Sequence, residues 1–202
     1  MFLLKTNLLD KLEQWDQWLF IQINTHQSNS VFDSVMPYMR VAYTWTPLYL
    51  FLIVFIVSNF KDRGLWWCLV FLCTVSLCDM TSTNLFKEVF HRERPCNDLD
   101  FFEHVRLVVD SCGGKFGFTS NHAANHFGMA TFIFLTLRPV LGKWVWIAWL
   151  WAALIGYAQV YVGVHYPFDI LGGAAIGFIF GGLLGTFFNK RFGFANFEQI
   201  TN

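Results

Sequence analysis

Charged residues are scarce in this 202-residue chain. Asp, Glu, Lys and Arg make up only 14% of it, against about 25% in an average soluble domain. The 14 basic and 14 acidic residues cancel to a net charge of +0, which excludes the strong field that draws nucleic acid to a protein. Hydrophobic residues reach 55% and aromatic residues 19%. This composition predicts a bilayer protein, and the length suits one domain over residues 1–202.

The sequence also shows no secretory signal peptide. A signal peptide needs an uninterrupted apolar core, and charged residues break the first twenty positions at Lys5, Asp10, Lys11, Glu13 and Asp16. We therefore expect the chain to be retained whole, with its own spans acting as the insertion signal.

The cysteines do not follow a metal-binding pattern. Three of the five lie in one apolar run and are expected to be packing residues, namely Cys68, Cys73 and Cys78. Cys96 and Cys112 lie in a long polar loop. They form a disulfide if that loop faces an oxidising compartment and remain free thiols otherwise, and the sequence leaves both alternatives open.

Five segments approach the length of about 20 apolar residues that a spanning helix needs. They cover residues 41–60, 65–86, 122–137, 144–164 and 168–188. The last segment has glycines at every fourth position (Gly173, Gly177, Gly181 and Gly185), a small face that permits close helix packing. The predicted fold is all-α: a polytopic transmembrane helical bundle of about five spans.

The N-terminal region, residues 1–40, has a different pattern. Apolar side chains fall on one half of a helical wheel, at Leu8, Leu9, Leu12, Trp15, Trp18, Leu19 and Ile23. Lys11 and Asp16 intrude on that apolar half. The pattern predicts an amphipathic helix in the membrane interface, with a tilted sixth span as the alternative.

The short loops predict an orientation. Six cations fall on one side of the five-span arrangement: Lys61, Arg63, Arg138, Lys143, Lys190 and Arg191. The positive-inside rule makes that side cytoplasmic, so the loop of residues 87–120 faces outward. Lys5, Lys11 and Arg40 fall on the outer side, against the trend.

Three short segments place ionisable side chains at the ends of apolar runs. They are residues 87–95 (KEVFHRERP), 119–123 (TSNHA) and 161–169 (YVGVHYPFD). Ionisable groups at membrane depth are expensive and mark functional sites. All three segments fall on the outer side of the predicted topology, which indicates one shared site there.

The first two segments suit phosphate binding. Lys87 and Arg94 offer two cations near one helix end, although a basic flank that only touches lipid headgroups has the same pattern. Ser120 and Asn121 open an apolar helix, whose free N–H groups hold phosphate well. Ser120 is equally suited to a simple N-cap. His122, just inside that helix, is placed to donate a proton.

The third segment pairs His165 with Asp169, four residues on. A carboxylate beside one ring nitrogen fixes the tautomer and leaves the other nitrogen free to attack, although the same pair also serves as a buried helix cap. Two histidines and one aspartate are also zinc ligands, but Lys87 and Arg94 would repel a metal ion. We therefore predict neither a metal nor another cofactor.

Together the motifs resemble those of the type 2 phosphatidic acid phosphatase superfamily, which is related to the vanadium haloperoxidases. The family pattern is K-x6-RP, then PSGH, then SR-x5-H-x3-D. The matching residues are Lys87, Arg94 and Pro95, then Ser120 and His122, then His165 and Asp169. The resemblance covers about residues 78–172.

The resemblance implies a mechanism without a metal. His165 attacks phosphorus and forms a phosphohistidine, Asp169 orients His165, and His122 protonates the leaving group. The phosphoryl oxygens are held by Lys87, Arg94, Ser120 and Asn121, and Gln159 is the fifth expected phosphate contact.

The chain departs from the family pattern at three positions. The family's SR falls on Ala158 and Gln159, so one phosphate-holding cation is replaced by a neutral amide. Asn121 and Thr119 replace the glycine and proline of the second motif. Either Lys115 or Arg92 supplies the missing charge, or the substrate is less charged, or the chain is a weak relative.

The leading functional hypothesis is a metal-independent lipid phosphate phosphatase of a bacterial plasma (inner) membrane, with its site facing the periplasm. Candidate substrates are polyprenyl (pyro)phosphate, phosphatidylglycerol phosphate, phosphatidic acid and phosphorylated lipid A. The expected partners are that substrate and membrane lipids, not nucleic acid. A lipid phosphotransferase with the same site, and a lipid-phosphate binding or transport protein, are the alternatives. The oligomeric state stays open.

Overall fold

The computed structural model describes residues 8–194. In that range the chain is helical, and its only extended pairing is an isolated bridge between Glu93 and Phe116. The prediction of an all-α fold is confirmed. Residues 1–7, which include Lys5, and residues 195–202 of the predicted domain lie outside the described range.

Seven α-helices follow one another along the described chain. They are α1 (Leu8–Ile21), α2 (Ser30–Met39), α3 (Thr46–Met80), α4 (Glu88–Phe90), α5 (Asn121–Leu141), α6 (Trp146–Tyr161) and α7 (Pro167–Arg191). Short π-helical turns lie at Gln22–His26 and Thr81–Lys87, and 3-10 turns at Ala42–Trp45, Phe102–His104 and Gly142–Val145.

Three helical stretches are long and apolar enough to cross a membrane. They are Ala42–Phe90, Asn121–Tyr161 and Pro167–Arg191. The first has 49 residues, which as one straight helix would extend about 74 Å, more than twice the hydrocarbon thickness.

The two longer stretches turn back on themselves. Lys61 (φ 47°) interrupts α3, and Gly142 (φ 55°) separates α5 from α6. A Cβ on Gly64 would lie 2.6 Å from the carbonyl oxygen of Ile56, a contact that requires the chain to reverse between them. The described chain therefore has five apolar helical segments, in agreement with the five segments predicted from sequence.

Helices α5 and α7 form the centre of the bundle, and their backbones touch. A Cβ on Gly177 would lie 2.5 Å from the amide nitrogen of Gly128, and one on Gly173 would lie 2.5 Å from the carbonyl oxygen of Ser120. The glycine face of α7 thus brings its second turn directly against the start of α5. We call this the site end of the bundle.

The opposite end collects the chain reversals and basic residues predicted to be cytoplasmic. Arg63 donates from Nη1 to the carbonyl oxygen of Gly193 at 3.1 Å. The ring of Trp66 stacks on that of Phe192 with centroids 4.9 Å apart. Asn189, in the last turn of α7, donates to the carbonyl oxygen of Leu135 in α5 at 2.9 Å. The reversal near Lys61 and the C-terminal parts of α5 and α7 are therefore neighbours.

The N-terminal region contains two helices, not the single one expected from the sequence. Helix α1 buries Asp16 and Phe20 and exposes Leu8, Leu9, Leu12, Trp15 and Trp18. Helix α2 begins at an N-cap, where the side chain of Asn29 accepts from the N–H of Phe32 at 2.9 Å. It packs on α6, with Met36 buried among residues that include Tyr161.

Candidate active site

The three sequence motifs come together at the site end. The N–H of Ser120 donates to the carbonyl oxygen of Asp169 at 3.0 Å, joining the second motif to the third. Arg94 donates from Nη1 to the carbonyl oxygen of Val164 at 3.3 Å, joining the first motif to the third. A disulfide between Cys96 and Cys112 closes the intervening loop, so the bridged alternative is the one observed.

His165 and Asp169 form a buried pair at the start of α7. His165 is 1% exposed and Asp169 is fully buried. Asp169 Oδ2 accepts from the N–H of Tyr166 at 2.9 Å and lies 3.3 Å from His165 Nδ1. A carboxylate only accepts, so the shared proton belongs on Nδ1. The lone pair of Nε2 is left free for attack.

Burial keeps the His165 ring neutral. It lowers the pKa of His165 to about 4, an effect that the hydrogen bond to Asp169 opposes and the nearby charges of Arg94 and Lys87 reinforce. At neutral pH the imidazole therefore carries one proton, as a nucleophile requires.

The other oxygen of Asp169 binds Arg92. Arg92 Nη1 donates to Asp169 Oδ1 at 3.0 Å, and Nη2 donates to Asp16 Oδ2 at 2.7 Å. Its guanidinium carbon lies 4.3 Å from the centroid of the Tyr166 ring. Burial works to lower the pKa of Arg92, but the two carboxylates raise it above its usual value. Arg92 is thus held between two buried acids.

Asp16 is the residue here that sequence reasoning missed. It is fully buried and its Oδ1 accepts from the N–H of Phe168 at 2.8 Å. Its position on the apolar half of α1 was the available signal, because a carboxylate on such a face needs a partner. Lys115, the other candidate for the missing cation, pairs with Glu93 at 3.2 Å and its side chain is 66% exposed.

The second motif begins α5, as its pattern predicted. Ser120 is the N-cap, and its Oγ accepts from the N–H of Ala123 at 3.4 Å. His122 lies in the first turn, where it interacts electrostatically with His165 and Arg94. The buried ring of His126, one turn further along, binds the carbonyl oxygen of His122 through Nδ1 at 2.7 Å and packs on Trp151 with ring centroids 4.8 Å apart.

Lys87 and Arg94 bring two positive charges to the same place. Lys87, at the end of the π-helical turn, interacts electrostatically with Arg94, Asp79 and Asp169. Arg94 Nε is buried and has no hydrogen-bond partner among residues 8–194. In the same range, no three His, Cys, Asp or Glu side chains are grouped so as to hold a metal ion.

The side chain of Asn121 faces α3. Its Nδ2 donates to Asp79 Oδ1 at 2.8 Å and to Thr83 Oγ1 at 2.6 Å. Ser82 donates to its Oδ1 at 3.0 Å. These contacts tie the start of α5 to the end of α3 and to the π-helical turn that follows it, and a role of Asn121 in phosphate binding stays a prediction.

Comparison with known families settles the membership of the chain. The model of the PAP2 superfamily matches residues 64–192. The chain belongs to this superfamily. The prediction made from the three motifs is confirmed, and the matched region includes all three.

Curated relatives are similar along most of the chain. A lipid A 4'-phosphatase of Porphyromonas gingivalis is 33% identical over 81% of this chain and 68% of the relative. A lipid A 4'-phosphatase of Bacteroides thetaiotaomicron is 32% identical over 77% of this chain and 71% of the relative. An undecaprenyl-diphosphatase of Sulfolobus acidocaldarius is 27% identical over 67% of this chain and 59% of the relative.

Two crystal structures share the fold. A transmembrane PAP2-type phosphatidylglycerolphosphate phosphatase from Bacillus subtilis superposes with a TM-score of 0.67 at 23% identity, covering 90% of this chain and 88% of the other. Aquifex aeolicus LpxE superposes with a TM-score of 0.58 at 25% identity, covering 83% and 92%. Together with the apolar helices, they identify the chain as a membrane protein.

Proposed function

We propose that this protein is a membrane lipid phosphatase that cleaves a lipid phosphomonoester or pyrophosphate through a phosphohistidine at His165. The carrying observation is the buried contact between His165 Nδ1 and Asp169, which leaves Nε2 as a free nucleophile. The positive charges of Arg94 and Lys87 act on the same ring, which supports their role in holding a phosphoryl group beside it.

The reaction proceeds in two steps. In the first, the Nε2 lone pair of His165 attacks phosphorus, and the bond from phosphorus to the leaving oxygen breaks. His122 gives its proton to that oxygen, and Asp169 stabilises the positive charge that develops on the imidazole. Lys87 and Arg94 meet the charge on the remaining phosphoryl oxygens.

In the second step water releases the phosphate. His122 removes a proton from the water as its oxygen attacks phosphorus, and the phosphorus–nitrogen bond breaks. Inorganic phosphate leaves, and both histidines return to their starting states. The scheme needs no metal and no other cofactor.

The relatives favour a substrate class. Two of them carry the name lipid A 4'-phosphatase, at 33% and 32% identity, so phosphorylated lipid A is the first candidate. The name undecaprenyl-diphosphatase on the third makes polyprenyl pyrophosphate the second. Phosphatidic acid and phosphatidylglycerol phosphate complete the panel to be tested.

We further propose that the protein resides in a bacterial plasma (inner) membrane with the site end facing the periplasm. The basic end near Lys61 and the end of α7 would then be cytoplasmic, as the positive-inside rule favours. The Cys96–Cys112 disulfide lies in the loop near the site end, and a periplasmic location provides the oxidising surroundings that such a bond needs.

The test is phosphate release by the purified protein in detergent, with EDTA present and without an acceptor lipid. The wild type should release phosphate from at least one lipid of the panel, and His165→Ala should abolish release. His104→Ala is the matched control, because His104 is an exposed histidine of the outer loop and should leave the rate unchanged.

Three results would contradict the proposal in different ways. Full activity of His165→Ala would exclude a phosphohistidine intermediate at this residue. Release only after an acceptor lipid is added would indicate the phosphotransferase alternative. A His165→Ala variant that loses turnover, yet restores the phenotype of cells lacking the protein, would indicate a binding or transport protein.

A further inference from the structure

Position 159 is where the family pattern has an arginine and this chain has Gln159. The side chain is fully buried in α6. Its Oε1 accepts a hydrogen bond from Nε of Arg40 at 3.2 Å. Its Nε2 is buried without a hydrogen-bond partner among the described residues. A guanidinium from another part of the chain therefore lies beside the position of the missing one.

Arg40 comes from the N-terminal region and is held in place there. It follows the last residue of α2 as the C-cap. Helix α2 is fixed to α6 through Asp33, whose Oδ1 accepts from the hydroxyl of Tyr161 at 2.7 Å and from Arg106 Nη1 at 2.7 Å. Trp45 donates from Nε1 to the carbonyl oxygen of Met39 at 2.8 Å, which anchors the chain on the other side of Arg40.

The charge of Arg40 is not neutralised within the described structure. No carboxylate of residues 8–194 forms an ion pair with it, although its side chain is half-buried. Its charge instead acts on Arg94 and on His122. A partly desolvated cation gathered with other cations is unfavourable unless an anion joins them.

The outward side of Arg40 is accessible. The guanidinium uses Nε for Gln159, and no hydrogen bond within residues 8–194 uses its Nη1 or Nη2. Arg40 also lines a polar cavity of about 580 Å³ between α2 and the 108–111 loop. A phosphorylated headgroup approaching from the water would meet the four free N–H donors of Nη1 and Nη2 there.

We propose that Arg40 is the phosphate-binding cation that replaces the family arginine, and that Gln159 is a positioning residue that orients Arg40. The neutral amide of Gln159 occupies the place of the family arginine, and the positive charge comes instead from Arg40 at the end of α2. This inference rests on the proposed function, since it names a further contact of the same phosphate. It also explains how the motif departure is compatible with an active enzyme.

A charge-relocation experiment tests the proposal. Arg40→Gln should lower kcat/KM for phosphate release by about 100- to 1,000-fold. Gln159→Arg alone should give no gain, because it places two guanidinium groups side by side. The double variant Arg40→Gln, Gln159→Arg should recover at least tenfold over Arg40→Gln, because it restores the family arrangement.

Matched controls separate this outcome from a folding defect. Arg63→Gln changes an exposed arginine at the opposite end and should leave the rate unchanged. Gln159→Leu keeps Arg40 but removes its hydrogen bond, and should weaken competitive inhibition by inorganic phosphate about tenfold in protein with an unchanged Tm. If Arg40→Gln does not fold, the result with Gln159→Leu decides alone.

The outcomes also separate this proposal from the proposed function. Loss of activity in His165→Ala together with wild-type activity in Arg40→Gln would overturn only the role of Arg40. A large gain in Gln159→Arg would overturn it too, because the cation would then be absent from the wild type. A wild type without phosphatase activity would overturn the proposed function, and inorganic phosphate binding to Arg40→Gln and wild type would still test Arg40.

Discussion

Arg92 binds Asp169 through the carboxylate oxygen that His165 does not use. The Nη1–Oδ1 distance is 3.0 Å, and the second nitrogen of Arg92 binds Asp16 at 2.7 Å. We therefore expect Arg92 to affect the proposed reaction through Asp169, since both of its terminal nitrogens are occupied by carboxylates. In the proposed mechanism, its role is to hold the carboxylate that orients His165.

This arrangement predicts a change in kcat without a change in KM. Arg92→Gln would leave two buried carboxylates unpaired, so Arg92→Lys is the cleaner substitution, because it keeps the charge and loses the two-sided fork. We expect kcat for phosphate release to fall about 10- to 100-fold with KM within a factor of about two. Lys115→Gln is the control and should behave as wild type. A raised KM with unchanged kcat would place Arg92 on the substrate instead.

Asp16 and His165 should give opposite contributions to stability between pH 4 and 6.5. Burial raises the pKa of Asp16 to about 6, although Arg92 opposes the shift. In that window Asp16 is protonated in the folded state and ionised in the unfolded state, so this group increasingly favours the folded state as the pH falls. Burial lowers the pKa of His165 to about 4. Between pH 4 and 6.5 His165 is neutral in the folded state and protonated in the unfolded state, so this group increasingly favours the unfolded state as the pH falls. Each shift corresponds to about 3 kcal/mol.

Asp16→Asn should therefore make the protein more sensitive to acid. It removes the contribution that favours the fold at low pH and leaves that of His165. We expect the Tm of Asp16→Asn, relative to wild type, to decline steadily from pH 7 to pH 4 in detergent. Adding His165→Gln to Asp16→Asn should restore the flatter profile. A constant Tm difference between Asp16→Asn and wild type would show that Asp16 does not titrate in this window.

The parts of the molecule that were predicted from sequence depend on local patterns. Apolar runs of bilayer length define the spans, and fixed spacings bring Lys87 with Arg94 and His165 with Asp169. The positions of Arg40 and Asp16 depend instead on hydrogen bonds to Gln159 and Phe168, which lie 119 and 152 residues further along the chain. No periodicity reports such contacts, because they follow from how the N-terminal region docks on α6 and α7. The only indication in the sequence was the carboxylate of Asp16 on an apolar helix face, which implied that this residue needs a partner.

The Cys96–Cys112 disulfide should stabilise the loop that carries the first motif. The two cysteines are 16 residues apart, and closing a loop of that size stabilises a fold by about 3 kcal/mol on loop-entropy reasoning. The Cys96→Ser, Cys112→Ser variant should lower both the Tm and kcat/KM, because Arg94 is positioned by this loop. Dithiothreitol should reproduce the effect in wild type and do nothing further to the variant. Cys73→Ser, which changes an exposed free thiol, should have no effect.

The contact between α5 and α7 predicts a sharp difference between two glycines of one helix. A Cβ on Gly177 would lie 2.5 Å from the amide nitrogen of Gly128 and 2.6 Å from the carbonyl oxygen of Ala124. A Cβ on Gly182 would meet no atom of residues 8–194 within 4 Å. Backbone atoms have little room to give, so Gly177→Ala should force the helices apart and cost about 3 kcal/mol.

Because α5 carries His122 and α7 carries Asp169, that separation should also lower activity. Gly182→Ala should keep full activity and raise stability by up to about 1 kcal/mol through helix propensity. Unfolding in detergent and phosphate release, measured on both variants, test the contrast. Equal behaviour of the two variants would mean that the two helices do not pack through this glycine face. The site would then have to be assembled by the 87–120 loop alone.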